Sequence, residues 1–320
     1  PYATDQAAWR EFLVRVCRRE QVDYVMPLTD VEVDVLADWQ SAAQELGALV
    51  CMSGPDTIRL CRDKARMAQF LTEKGICPVI PGWRLSELPG EAGTARQSGE
   101  QPDKTGPDSL HYPLVVKPVD GRSSQGLRIV ESPRELSWTA ELLADQADRY
   151  LVQEKLPGQV LTVDVVRQPD SGDCICLPRR EVLRTPNGAG VSVQVFRDPL
   201  LEARCRAVAE AVGIRGCVNM EFIQEGDTGE RYFLECNPRF SGGVVFSVLA
   251  GYDMVKSHVS CFTGGRLEAM GGIRSQYIAR RYAEYQMEEG QSCQNAGRNT
   301  NRNGQKDGSQ DKEAGNDQKA

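Results

Sequence analysis

Histidine is almost missing from this sequence, with only His111 and His258 in 320 residues. The cysteines stand singly apart from a Cys-Ile-Cys at 174–176, so no second pair or histidine cluster completes a zinc site. A basic excess is also lacking. The formal net charge is −7, whereas a nucleic-acid binder shows the opposite balance or a basic stripe. No apolar run approaches the ~20 residues of a membrane span, and no signal-peptide pattern opens the chain. The eleven cysteines fall in core-like segments such as RVCRRE and RGCVNME. They read as reduced thiols, which makes the expected compartment cytoplasmic. What remains is an ordinary globular composition, 40% hydrophobic and 26% charged. The length admits two domains, or one large domain built of subdomains.

Hydrophobic periodicity organises the first part of the chain. Residues 5–20 carry Trp9, Phe12, Leu13 and Val16 at helical spacing. VDYVMPL reads as a buried strand, followed by a helix over about 31–46, a short strand in ALVCMSG and a helix over about 55–74. This alternation predicts part of an α/β parallel sheet. Residues 86–112 are rich in Gly, Pro, Ser and charge and predict a surface insertion. Order resumes with two strand-like runs in PLVVKPVDGRSSQGLRIV, a helix over about 133–147 and two strands in YLVQEKLPGQVLTVDVVR. A helix over 200–213 and a hairpin over 217–236 come next, and residues 286–320 have the composition of a disordered tail.

FLECNPRFSGG places Glu235, Asn237 and Arg239 at every second position. Residues two apart in a strand share a face. The preceding strand, CVNMEFI, puts Asn219 and Glu221 on one face, and a turn near 226–229 brings Glu221 roughly opposite Glu235. Opposed carboxylates repel unless a cation lies between them. Glu221, Glu235 and Asn237 form a hard, all-oxygen set suited to Mg²⁺ or Mn²⁺. Magnesium keeps waters and phosphate oxygens as further ligands, so the set predicts a nucleotide, with Arg239 beside it for a phosphate or a developing anion. The competing reading is a strand whose polar residues face water.

Phosphate-binding parts lie elsewhere in the chain. Lys117 ends an apolar run, and the loop after it contains Gly121, Ser123, Ser124 and Gly126. Small residues let backbone N–H groups turn toward a phosphate, and a lysine supplies a point charge. Lys64 opens a helix upstream; by itself it reads as a surface residue. Glu154, Lys155 and Leu156 end a hydrophobic strand and offer backbone groups to a purine edge, or mark a plain strand-to-turn transition.

The order and spacing of PDTIRLCRDKARMAQFLTEKGI, PLVVKPVDGRSSQG, LVQEKLPGQVLTVDVV and GCVNMEFI…RYFLECNPRFSGG, from about residue 20 to about 265, resembles the ATP-grasp superfamily. The resemblance is in particular to single-domain relatives of the carbamoyl-phosphate synthetase large subunit. The resemblance implies an α/β protein of α+β subdomains: a truncated pre-ATP-grasp subdomain over 1–60, a small grasp subdomain over 61–150 and a large one over 151–285. It implies Lys64 and Lys117 on the phosphates of ATP under the 121–126 loop, and Glu154 to Leu156 at adenine. Glu221, Glu235 and Asn237 would hold Mg²⁺, and Arg239 would steady the transferred phosphoryl group. The implied reaction activates a carboxylate as an acyl-phosphate for attack by an amine, work that is mostly positioning and charge neutralisation. The implied partners are a small-molecule carboxylate and an amine, with no nucleic acid and no membrane.

Three departures stand out. Val160 occupies the place of a ribose-binding glutamate. The elements that open the relatives do not precede Pro1, so the N-terminal sheet is expected to lack a strand, and its incomplete edge points to a homo-oligomer. There is also one grasp unit where the synthetase has two. Arg179, Arg180 and Arg184 clamp a substrate carboxylate on one reading and protect an edge strand on another; Arg184, just before the glycines, is best placed to touch substrate. Asp164 reads as structural, and the tryptophans as core. Two alternatives stay open: an enzyme making a carboxy- or carbamoyl-phosphate, and a catalytically weak ATP-binding regulatory module.

Overall fold

The computed structural model describes residues 2–88, 110–122, 124–185 and 188–281. Most of the 86–112 insertion and all of the 286–320 tail lie outside these residues. The N-terminal piece is built from α1 (Gln6–Glu20), β1 (Tyr24–Val25), α2 (Asp30–Ala37), α3 (Ala42–Leu46), β2 (Leu49–Val50) and α4 (Pro55–Arg62). β1 and β2 form a two-stranded parallel sheet, as the alternation predicts. Its strands are much shorter than expected. Tyr24 is largely exposed, so VDYVMPL is a two-residue strand and not a buried one.

The predicted helices over 31–46 and 55–74 are each broken in two. Residues 38–41 separate α2 from α3. Asp63 separates α4 from α5 (Lys64–Glu73), because its carboxylate accepts from the Ala65 and Arg66 N–H groups and so caps a new helix. At the start of α2, Thr29 and Glu32 form a reciprocal capping box. That cap fixes Asp30 as the first helical residue.

A four-stranded sheet in the order β3 (Gly82–Arg84), β6 (Tyr150–Glu154), β4 (Leu114–Pro118), β5 (Arg128–Val130) carries α6 (Pro133–Leu142). The six-stranded sheet holds β7 (Gly158–Gln168), β8 (Asp173–Arg184), β9 (Gly190–Val195), β10 (Gly216–Glu225), β11 (Arg231–Asn237) and β12 (Gln276–Ala279), in the order β11-β10-β7-β8-β9-β12. β8 is therefore an interior strand, which removes the edge-strand reading of its arginines.

β7 shows how this sheet is covered on both faces. Leu161, Val163 and Val165 join Met67 and Leu71 of α5 and Leu201, Cys205 and Val208 of α7 (Pro199–Val212) in the principal core. The alternate residues Thr162, Asp164 and Val166 face the other way, where Val166 packs with Phe246 of α8 (Val244–Leu249) and Met254 of α9 (Met254–Phe262). This period-2 division gives one floor strand an apolar underside and a polar upper face. The tryptophans do not all serve as core: Trp39 is buried, whereas Trp138 on α6 is exposed.

Candidate active site

The polar row of β10 and β11 lies on the floor of a cleft of about 1000 Å³. Asn219 pairs with Asn237 and Glu221 with Glu235. The register then shifts, so that Phe222 faces Phe233 and Leu234 is the extra residue of a bulge. The bulge re-aims the strand. Phe233 and Cys236 enter the core while Leu234, Glu235 and Asn237 line the cleft.

Each of the opposed carboxylates is paired with a cation. Lys64 Nζ lies 3.3 Å from Glu235 and donates to the Gly121 carbonyl at 2.9 Å. Arg184 Nη2 lies 3.3 Å from Glu221, and its Nε donates to the Gly188 carbonyl. Lys117 and Arg239 also line the cleft. Burial, assisted by the facing Glu235, raises Glu221 to about 7. Burial pushes Glu235 the same way, yet Lys64, the Asn237 amide and Lys117 together hold it below the usual carboxylate range. Burial lowers Lys117 to about 8 against the pull of Glu235. One carboxylate is thus firmly ionised and its partner poised near neutrality.

Asn237 donates to Glu235 at 2.9 Å and to the Asn219 oxygen at 3.4 Å. Arg239 donates from Nη2 to Asp30 at 2.8 Å and from Nη1 to the Phe240 carbonyl at 3.0 Å. The floor beneath is a buried ionic network. Arg179 donates to Asp164 at 2.8 Å, Glu181 at 3.1 Å and Ser241 at 3.1 Å, and Ser241 and Ser247 both donate to Asp164. Removing one member of such a network costs about 3–5 kcal/mol, because its partner is left charged and buried. Asp164 is therefore structural, and Arg179 is committed to it. Arg180 points to the other face, toward Gln194, Gln224 and the Phe196 ring. Of the three arginines only Arg184 reaches the paired carboxylates.

The loop after β4 is pinned from outside. Asp120 accepts from Arg62 through its carbonyl, Arg149 meets its carboxylate, and Arg122 pairs with Asp34 of α2. Ser124 and Gly126 have positive φ of 58° and 73°. A Cβ on residue 126 would come within 2.9 Å of Pro118, so glycine is required there. Gly121 and Ser124 line the cleft; Ser123 lies outside the described residues. Glu154, Lys155 and Leu156 do not line it. Glu154 accepts from the His111 backbone N–H at 2.9 Å, and the Lys155 N–H donates to the Pro113 carbonyl. Val160 does line the cleft.

Thr162 Oγ1, Glu181 Oε2 and Asn219 Nδ2 are buried without a hydrogen-bond partner among the described residues, and all three residues line the cleft. Buried polar atoms left unpaired are uncommon and call for a ligand, an ion or water. Among the described residues no cluster of three or more His, Cys, Asp or Glu forms a metal cage. Two carboxylates and an amide fit a metal that takes its other ligands from phosphate and water. Asp30, Thr162 and Glu181 escape a reading by sequence, since the strand pattern alone does not say which loop or neighbouring strand closes the site.

Comparison with known proteins agrees with this layout. Residues 146–284 match the family described as ATP-grasp in the biosynthetic pathway with Ter operon, and residues 92–186 match the D-ala D-ala ligase C-terminus. The carbamoyl phosphate synthase large chain, N-terminal section, of Methanopyrus kandleri is 23% identical over 86% of this chain and 49% of its own length. Biotin carboxylase of Allochromatium vinosum is 25% identical over 71% of this chain and 51% of its own. The chain thus spans about half the length of these curated relatives. Among solved structures, the biotin carboxylase domain dimer of Hydrogenobacter thermophilus 2-oxoglutarate carboxylase, in complex with MgADP, ADP and bicarbonate, has a TM-score of 0.66 at 20% identity. That match covers 84% of this chain and 60% of that one. The four- and six-stranded sheets, the cleft between loop and hairpin and these likenesses make the chain a relative of the ATP-grasp proteins.

Proposed function

We propose that the protein is an ADP-forming ligase that activates a carboxylate with Mg·ATP and passes the acyl group to an amine. The observation that carries this reading is the convergence on one cleft of Glu221 opposite Glu235, Asn237 beside them, and Lys64, Lys117, Arg184 and Arg239 around them. In this reading Glu221, Glu235 and Asn237 hold the metal, which supplies charge neutralisation for phosphate oxygens. Lys64 and Arg184, now paired with the two carboxylates, would be available to phosphate oxygens with a divalent cation held by those carboxylates. Lys117 neutralises charge from the wall of the small sheet.

The substrate carboxylate oxygen forms a bond to the γ-phosphorus as the bond to ADP breaks. Arg239 stabilises the charge that spreads over the transferred group. The amine then attacks the acyl carbon, phosphate leaves and the amine gives up a proton. The loop over 119–127 keeps water from the acyl-phosphate. No side-chain nucleophile takes part.

A thermal-shift titration with ATP, with and without Mg²⁺, tests the reading on this chain and on Glu235→Gln. A ligand that binds only the folded state raises the melting temperature, by an amount set by RT ln(1 + [L]/Kd). Mg·ATP is expected to stabilise the chain, with the magnesium-dependent part lost in Glu235→Gln. The absence of any shift sinks the proposal. Hydroxylamine trapping across a panel of carboxylates then identifies the acid.

A further inference from the structure

The cleft has two unlike ends. The phosphate end is ionic, ringed by Lys64, Lys117 and Arg184. The other end, around Arg239, is lined by apolar side chains that the fold leaves uncovered: Leu28 is 60% exposed, Met26 37% and Val255 40%. Val244 joins them in the lining. They come from different elements. Met26 and Leu28 belong to the segment between β1 and α2, Val244 opens α8, and Val255 is on the first turn of α9. Uncovered apolar side chains from three elements that line one cleft together with a charged group mark a ligand pocket more than a chance surface patch.

Arg239 is held rigidly at this junction. Its Nη2 donates to Asp30, two residues after Leu28, and its Nη1 to the Phe240 carbonyl. None of its other N–H groups has a partner among the described residues. A fixed guanidinium beside uncovered hydrocarbon fits an anion that carries an apolar body.

We infer that the acid activated here is a carboxylic acid with a hydrocarbon side chain or tail, its carboxylate at Arg239 and its apolar body against Met26, Leu28, Val244 and Val255. Bicarbonate has nothing with which to cover that wall. The inference rests on the ligase reading, because it takes Arg239 as the group beside the acid.

Isothermal titration of the whole chain in saturating MgADP, with acetate, butyrate, hexanoate, hexanol and bicarbonate, tests it. Affinity is expected to rise on the order of threefold per methylene from acetate to hexanoate, with bicarbonate and hexanol both far weaker than hexanoate. Leu28→Asp and Val255→Asp, changes at exposed positions of different elements, are each expected to weaken hexanoate on the order of tenfold while the Mg·ATP melting shift persists. Acetate or bicarbonate binding as tightly as hexanoate overturns the inference. So does hexanoate affinity unaltered in both variants, or hexanol binding as tightly as hexanoate. These results leave Mg·ATP binding intact, whereas loss of the Mg·ATP shift in the unaltered chain strikes the ligase reading.

Discussion

At the scale of single residues the site is governed by how two facing carboxylates divide their charge. Glu235 is held ionised by Lys64, Asn237 and Lys117, and Glu221 is left near 7, chiefly by burial. Glu221 must lose its proton to ligate a metal, so magnesium-dependent nucleotide affinity should grow as pH rises through about 7. Between pH 6 and pH 8 the ionised fraction of such a group rises about tenfold, and MgADP affinity measured calorimetrically should rise with it. The folded state without ligand has the opposite sign. A carboxyl whose folded pKa is raised stabilises the protein fully below its unfolded value near 4.5, and that contribution is lost as pH climbs through about 7. Glu221→Gln should flatten both dependences. If MgADP affinity in Glu221→Gln keeps the slope of the unaltered chain, the titrating group lies elsewhere.

At the scale of elements, strand period is legible in the sequence and long-range registry is not. The alternation in CVNMEFI and YFLECNPR puts Glu221, Glu235, Asn219 and Asn237 on one face, and the short turn sets them opposite one another. Nothing in YFLECN marks Leu234 as a bulge, because the bulge answers to the register with β10. Asp63 splits a continuous helical pattern because a capping side chain outweighs apolar periodicity there. The contact between Asp34 of α2 and Arg122 joins residues 88 positions apart and appears only once the subdomains are folded together. Its consequence is measurable. Asp34 also takes Arg62 at 2.9 Å, and Arg62 in turn donates to the Asp120 carbonyl. α2 and α4 thereby tether the loop after β4. Asp34→Ala leaves Arg62 and Arg122 without that carboxylate and should loosen the loop. Tryptic cleavage after Arg122 should speed up several-fold without nucleotide, and Mg·ATP should restore protection. Unaltered cleavage would mean that Lys64, Arg149 and the Arg62 bond to the Asp120 carbonyl hold the loop without Asp34.

For the molecule as a whole, the N-terminal piece is joined to the large sheet through polar contacts that also reach the site. Ser53 donates to the Arg215 carbonyl at 3.0 Å and Thr57 to the Val212 carbonyl at 2.8 Å, while Asp30 holds Arg239. His258 lies in this junction. It lines a cavity of about 10 Å³ with Pro27, Cys51, Ser53 and Arg239. Its Nδ1 accepts the Cys217 N–H at 2.9 Å, so the ring proton is on Nε2, where the Cys51 backbone favours the charged ring and opposes the effect of burial. Phe240 and Phe262 flank the ring, and Gly216 leaves it room: a Cβ there would come within 2.7 Å of Nδ1. Burial lowers His258 to about 4. A histidine depressed in this way contributes stability that is present above its unfolded pKa near 6.5 and is lost as pH falls toward 4, because the unfolded chain takes up the proton first. Over that interval the loss is about 3 kcal/mol, and it falls on the joint that holds Arg239 in place. Thermal melts at pH 7, 6 and 5 should therefore show a steeper acid-side fall for the unaltered chain than for His258→Gln, which does not titrate. Parallel pH profiles for the two proteins would show that the junction is indifferent to the charge on this ring, and that acid weakens the fold through its carboxylates instead.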